Sequence, residues 1–330
     1  MTDGTATNQA PFLIADIGGT NARFALVGEN GAPYAEQVLR CADYPTLTDA
    51  ARFYLLEQKL PVPPKVAAFA VASPILGDLI RMTNLAWEFS IQGVQRDLGL
   101  IHLDVINDFT AVALAIPELG EEDKVQVGDG APVSGHPIAV LGPGSGLGVS
   151  ALVPGDNGHW TALATEGGHV TMPPITDRES AVLAQLRKQY EHVSAERVVC
   201  GPGLVNLYET LAFLEGVEPK KLTAAEISDR AVAGRDQVCV EALDMFCAML
   251  GSIAGNLTLS VGARGGVYIA GGIIPRFLGW FSHSRFRKRF VEKGRMRAFL
   301  GPVPTYVVTH PYPAFLGLAA KVRRAAAHGA

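Results

Sequence analysis

The sequence predicts an α/β protein of two domains with a cleft between them. Strand and helix patterns alternate along the chain, as they do when helices cover a sheet. At 330 residues the chain exceeds what one hydrophobic core usually organises. Two similar hairpins, FLIADIGGTNARFALV at 12–27 and IAVLGPGSGLGVSALV at 138–153, each carry a glycine-rich turn. Glycine lets the backbone come close to a ligand, and each turn adds a hydroxyl at its tip, Thr20 or Ser145, so the pair suggests a phosphate clamp. A nucleotide held between two lobes is the candidate ligand.

The elements follow in order. Leu47, Ala50, Ala51, Tyr54 and Leu55 fall at helical spacing and predict a helix over 46–59, ended by the prolines of 61–64. The unbroken apolar run VAAFAV at 66–71 is a buried strand, and Ser73-Pro74 turns the chain after it. LDVI at 103–106 is a short strand leading at once into Asn107-Asp108 and an apolar helix through Ile116, which Pro117 breaks. The polar connection at 127–135 marks a domain junction between 115 and 135. The expected division is a smaller domain of 1–118 plus 310–330 and a larger one of 119–309.

The second half is more helical. Its pattern gives helices over 178–191 and 203–214, a third opened by the capping-box spacing of Thr223 and Glu226, and a long one over 236–261. A strand at 266–270 stops at Gly271-Gly272, a third glycine turn at a strand's end; a strand at 303–309 and a helix at 314–327 close the chain. The stretch 245–263 is uncharged and about long enough to span a bilayer. Its glycines, serines, threonine and asparagine, closed by Asp244 and Arg264, make it a buried core helix instead.

Composition narrows the function. Lys plus Arg number 28 against 32 Asp plus Glu, a net charge of −4, which gives no general affinity for nucleic acid or an anionic membrane. A small, diffusible substrate fits better. Cys41, Cys200, Cys239 and Cys247 form no CxxC pair, as expected in a reducing cytosol. Residues 1–10 lack the cationic and apolar regions of a signal peptide and read as a disordered polar tail.

Three constellations carry chemistry. There is no G-x-x-x-x-G-K-[ST], and the loop 142–148 departs from G-x-G-x-x-G. Taken alone, either glycine turn reads as readily as a plain hairpin turn. Asp16 before Gly18-Gly19 shifts that balance, because a carboxylate beside a phosphate-binding turn is unfavourable unless a cation such as Mg²⁺, brought by ATP, lies between them. Asn107-Asp108 reads as an N-cap and also as a general base at the carboxyl end of a buried strand, facing a crevice where it can take a proton from a hydroxyl. In TEGGH at 165–169, two glycines let Glu166 and His169 point into one pocket suited to a hydroxyl-rich ligand, although a solvated surface turn is the plainer alternative. The eight histidines are mostly dispersed and no HExxH is present, so zinc has no evident ligand set.

These residues also carry a resemblance. DIGGTNARF from Asp16, MTNLAW from Met82, INDFTAV from Ile106, LGPGSGLGV from Leu141, EGGH from Glu166, SAERV from Ser194 with GPGLVNLY from Gly201, and IAGGI from Ile269 occur in the order found in the bacterial glucokinase family. Any one is weak; seven in order across nearly the whole chain are specific. The resemblance implies a two-domain, ribonuclease-H-like fold of the actin and hexokinase superfamily, a cytoplasmic homodimer, and transfer of the γ-phosphate of MgATP to the 6-hydroxyl of glucose. It implies Asp108 as catalytic base, and Asn107, Asp108, Glu166, His169 and Glu196 as sugar ligands. It further implies that Ala15, Asp16, Ile17, Gly18, Gly19, Thr20 and Asn21, with Gly142, Gly144, Ser145 and Gly146, hold phosphates, that Asp16 faces magnesium, and that Gly271 and Gly272 lie near the adenosine.

For Glu196 only the resemblance lifts it above an ordinary solvated charge. The basic run RFRKR at 285–289 matches no site motif and is expected to form an exposed helix face. Ser145 stands where the family more often has threonine and keeps the hydroxyl. No cysteine-rich segment follows His169, which sets the chain apart from the zinc-containing branch of sugar kinases and repressors and predicts no zinc. A kinase for another hexose, and a non-enzymatic sugar sensor, are the alternatives.

Overall fold

In the computed structural model, which describes residues 10–82 and 85–327, the chain forms two compact units. One runs to Leu119 and resumes at Pro311; the other spans 120–310. Thr83 and Asn84 of the MTNLAW segment, and residues 1–9 of the expected polar tail, lie outside the described residues.

The first unit is built on β1 (Phe12–Ile17), β2 (Asn21–Val27), β3 (Pro33–Arg40), β4 (Val66–Val71) and β7 (His102–Asn107), ordered β3-β2-β1-β4-β7. Helix α1 (Leu47–Gln58), the small hairpin β5 (Leu79–Arg81) and β6 (Glu88–Ser90), α2 (Ile91–Asp97) and α3 (Asp108–Ala115) complete it with the C-terminal helix Pro313–Ala327. Strands β1 and β2 pair antiparallel, whereas β1, β4 and β7 run parallel. Strand β4 is buried at every position, which is why it reads as continuous apolar sequence rather than alternation. Its alternate residues face two cores. Ala67, Phe69 and Val71 join α1 through Leu47, Ala50 and Tyr54, and Ala68 and Ala70 meet the C-terminal helix through Phe315 and Leu318.

The C-terminal helix crosses α3 at backbone contact. A Cβ on Gly317 would lie 1.9 Å from the Ala111 carbonyl oxygen, a group that cannot rotate away. Gly317→Ala is therefore expected to destabilise the first unit by about 3 kcal/mol, the upper range for overpacking a filled core, measured by thermal or urea unfolding.

The second unit carries β8 (Lys124–Gln126), β9 (Ile138–Pro143), β10 (Leu147–Pro154), β11 (Trp160–Ala164), β12 (Val267–Ile269) and β13 (Thr305–Val308), in the order β11-β10-β9-β12-β13-β8. Its helices are α4 (Asp177–Leu186), α5 (Gly201–Leu214), α6 (Ala224–Val232), α7 (Gln237–Val261), α8 (Leu278–Phe281), α9 (Phe286–Val291) and α10 (Arg297–Leu300). Helix α6 opens with the complete Thr223/Glu226 capping box. Helix α7 starts at Asp236, whose carboxylate accepts from the Val238 and Cys239 amides, and ends at Gly262 in the left-handed region. It is long and apolar enough to cross a membrane by length and composition, but most of it is buried inside the unit.

Helix α7 owes its small residues to α9. A Cβ on Gly251 would lie 2.3 Å from the Phe286 carbonyl oxygen, and one on Gly255 2.7 Å from that of Phe290, so the two helices approach at backbone distance. This crossing overturns the exposed face expected for 285–289. Phe286, Arg289 and Phe290 are buried, and the Arg289 guanidinium donates to both oxygens of the buried Glu179 carboxylate, at 2.5 and 3.1 Å, and to Ser252 Oγ at 2.9 Å. A pair more than a hundred positions apart leaves no trace in the local pattern.

Candidate functional site

Each unit presents a cluster of the residues singled out in the sequence. In the first, the parallel strands β1, β4 and β7 finish together, with Ile17 opposite Val71 and Val71 opposite Asn107. The turn after β1 and the Asn107-Asp108 step therefore lie at one end of the sheet, roughly 10 Å apart across two strand spacings. Carboxyl ends of parallel strands are where α/β folds bind ligands.

The turn at 18–20 is closed by the Gly18 amide donating to the Asn21 carbonyl at 2.9 Å. The Cys41 amide donates to the Thr20 carbonyl at 2.9 Å and ties the turn to the end of β3. Asp16 pairs in register with Arg23, whose Nη1 lies 3.1 Å from the carboxylate. Burial pushes the Asp16 carboxyl up, and the Arg23 guanidinium opposes that shift. Arg23 also sits 5.9 Å from the Tyr312 ring centre.

Asn107 and Asp108 divide their duties. Asn107 is the N-cap of α3: its Oδ1 accepts from the Phe109 amide at 2.9 Å and the Thr110 amide at 3.2 Å. Asp108 is the first helical residue and is half-buried. The helix end is capped without it, although its Oδ1 also accepts from the Phe109 amide at 2.8 Å.

In the second unit, the turn between β9 and β10 is closed by the Gly144 amide on the Gly146 carbonyl at 2.8 Å. The Gly201 amide, at the start of α5, donates to the Gly144 carbonyl at 2.8 Å. Gly271 has φ +93, and a Cβ there would lie 2.6 Å from the Pro143 carbonyl oxygen. Gly142 to Gly146, Gly271-Gly272 and the first turn of α5 are thus neighbours, a contact with α5 that the sequence spacing did not signal. Ser145, Gly271 and Gly272 are exposed.

Glu196 anchors this turn to the EGGH segment. Its Oε2 accepts from the Leu147 amide at 2.8 Å, and its backbone amide donates to the Gly168 carbonyl at 2.9 Å. Gly167 to His169 form one 3-10 turn that places the exposed His169 Nε2 4.0 Å from Glu166 Oε2. The intervening glycine is required, because a Cβ on Gly168 would lie 2.1 Å from the Leu147 carbonyl oxygen. Gly168→Ala is expected to shift the 167–169 turn and, if His169 is a sugar ligand, to lower kcat/KM about 100-fold, the penalty for roughly 1 Å of misplacement, in steady-state assays.

A half-buried carboxylate beside a glycine turn is a fitting donor for a magnesium ion that arrives with nucleotide phosphates, which usually takes only one or two protein carboxylates. Asp16 has that character. No group of three or more His, Cys, Asp or Glu side chains suited to a metal ion occurs among the described residues.

A family profile described as glucokinase matches residues 13–325. A glucokinase of Paramagnetospirillum magneticum is 54% identical over 310 residues, 94% of this chain and 97% of that protein. Among solved structures, a glucokinase from an Antarctic psychrotroph superposes with TM-score 0.87 at 39% identity, covering 96% of this chain and 99% of that one. A Streptomyces griseus glucokinase of the ROK family, in complex with glucose and AMPPNP, superposes with TM-score 0.64 at 17% identity over 96% of this chain and 100% of its own, a likeness of fold.

Proposed function

The chain belongs to the glucokinase family, and from that premise we propose that it transfers the γ-phosphoryl group of ATP to the 6-hydroxyl of D-glucose, with Asp108 as general base. The observation that carries the reading is the position of Asp108 beside the glycine turn of β1, at the common end of three parallel strands, with the capping of α3 assigned to Asn107.

In this reading Asn107, Glu166, His169 and Glu196 bind the sugar hydroxyls. Asp108 takes the proton of the 6-hydroxyl as that oxygen bonds to the γ-phosphorus; the bond from phosphorus to the β,γ-bridging oxygen breaks, and ADP carries the electron pair away. The turn from Ala15 to Asn21 and the loop from Gly142 to Gly146 supply backbone donors to the phosphates. Gly271 and Gly272 leave a side-chain-free surface for the adenosine. Asp16 would hold magnesium arriving with ATP. That ion neutralises phosphate charge when bound.

The reading includes exclusion of water from the bound sugar and a homodimer in the cytosol. Four buried thiols, none in a disulfide among the described residues, are consistent with a reducing compartment. The AMPPNP and glucose in the S. griseus fold neighbour support the choice of nucleotide and sugar.

The test is ADP release from MgATP with no sugar and with glucose, fructose, mannose or N-acetylglucosamine. The expected result is sugar-dependent turnover with the highest kcat/KM for glucose. A higher kcat/KM for another hexose overturns the substrate, and saturable glucose binding without turnover overturns the enzyme.

A further inference from the structure

The second unit holds a basic cavity remote from its glycine loops. It has a volume of about 280 Å³ and is lined by Arg287, Lys288 and Arg297, with Asp129, Gly128 and Val291 among its other walls. The segment 285–297 reads RFRKRFVEKGRMR, seven cations against the single acid Glu292, in a chain whose net charge is −4. Part of this charge has internal work: Arg289 pairs with Glu179, Arg285 with Asp244, and Lys293 donates to Ser252 and Asn256. Arg287, Lys288 and Arg297 face the cavity.

Arg287 is held rigidly and, among the described residues, has no carboxylate within ion-pair distance; the Asp129 carboxylate acts on it only from further away. Its Nη1 donates to the Val303 carbonyl at 2.8 Å, and its Nη2 to the carbonyls of Asp129 at 2.8 Å and Gly301 at 2.7 Å. Its guanidinium carbon lies 4.9 Å from the Phe290 ring centre. No salt bridge to Arg287 or Arg297 occurs among the described residues. Burial pulls the Arg287 pKa down, as expected where a charge lacks full compensation. Lys288 is largely exposed and 3.8 Å from Glu292, an exposed contact of little strength. Three cations against the Asp129 carboxylate leave the cavity lining with two positive charges in excess.

The cavity is a separate place from the candidate catalytic loops. Strands β9, β12 and β13 run parallel, and their carboxyl ends lead to Gly142–146 and Gly271-Gly272. The cavity is built from Gly301, which precedes β13, and Gly128, which follows the antiparallel β8, so it lies at the opposite end of the parallel strands.

We propose that this cavity is a second anion site, which binds the phosphate group of a small phosphorylated metabolite. A phosphate dianion matches the excess charge, and a planar, fixed guanidinium beside a second, exposed one is a common means of recognising phosphate. The volume admits inorganic phosphate or a compact phosphate monoester and is near the lower limit of small-molecule pockets.

The test is isothermal titration of the full chain with inorganic phosphate and with glucose 6-phosphate, at fixed ionic strength set with chloride. Wild type is compared with Arg297→Ala and with Lys288→Ala/Arg297→Ala, variants outside the proposed catalytic machinery that leave the Arg287 clamp in place. The expected result is saturable phosphate binding weakened at least tenfold in the single variant and lost in the double, with kcat and KM for glucose unchanged when phosphate is absent. Tighter binding of the sugar phosphate than of phosphate in the variant-sensitive part identifies a monoester site; equal binding identifies a site for the phosphate group alone. No saturable phosphate heat in wild type, or the same affinity in the double variant, overturns the proposal.

Discussion

Asp108→Asn is expected to lower kcat by roughly two to four orders of magnitude, the range for loss of a general base, while calorimetric glucose binding persists. The fold should tolerate the change. Asn107 supplies the cap of α3, and an asparagine at 108 keeps the oxygen that accepts from the Phe109 amide. Asn107→Ala is the contrasting variant: it removes an acceptor shared by two amides and should cost about 1 kcal/mol of stability. A variant at 108 that unfolds, or one that turns over near the wild-type rate, contradicts the division of labour between these neighbours.

Arg289→Met is expected to be among the most damaging single changes to stability. It strands a carboxylate in the core of the second unit, because Glu179 and Arg289 are both almost fully buried. Removing one partner of a buried pair costs about 3–5 kcal/mol. For a unit of this size that is a fall in melting temperature of roughly 6–20 °C. The double variant Glu179→Met/Arg289→Met should recover much of the loss, since a buried pair replaced by apolar groups is often neutral.

The pair also predicts an acid response. Burial alone would push the Glu179 carboxyl up, but hydrogen bonds from Arg289 and from the Ile175 and Thr176 backbone outweigh it and hold the carboxyl below its ordinary value of 4.5. A depressed carboxyl stabilises the fold above its unfolded pKa and loses that contribution as pH falls through the folded one. Stability against urea should therefore decline below about pH 4.5, and part of that slope should vanish in the double variant.

Where one stretch of sequence carries its own explanation, structure could be read from it directly. VAAFAV at 66–71 is buried at every position, and the capping box of α6 sits where its spacing placed it. Strand β3 gave no such signal, because PYAEQVLR is mostly exposed and irregular, with a register shift in its pairing and Ala35 at φ +54. The helix expected over 178–191 stops at Leu186; the three residues that follow close single turns although their side chains suit a helix. The two glycine hairpins announced themselves by composition. The meeting of Leu147, Gly168 and Glu196 did not, since those residues are joined by a Glu196 side-chain bond and a backbone bond between distant segments, and only the family resemblance pointed to Glu196.

The second unit is an insertion between α3 and the helix that packs against it. During synthesis, one face of the five-stranded sheet, carrying Ile14, Ala25, Val27, Ala68 and Ala70, must wait for Phe315, Leu318 and Val322 to cover it. The intervening stretch of nearly two hundred residues takes about 10–40 s to translate at cellular elongation rates. The later unit can therefore mature first, while the earlier one keeps an apolar sheet face uncovered. Emergence of the C-terminal helix, rather than of the first strands, sets when the first unit becomes whole.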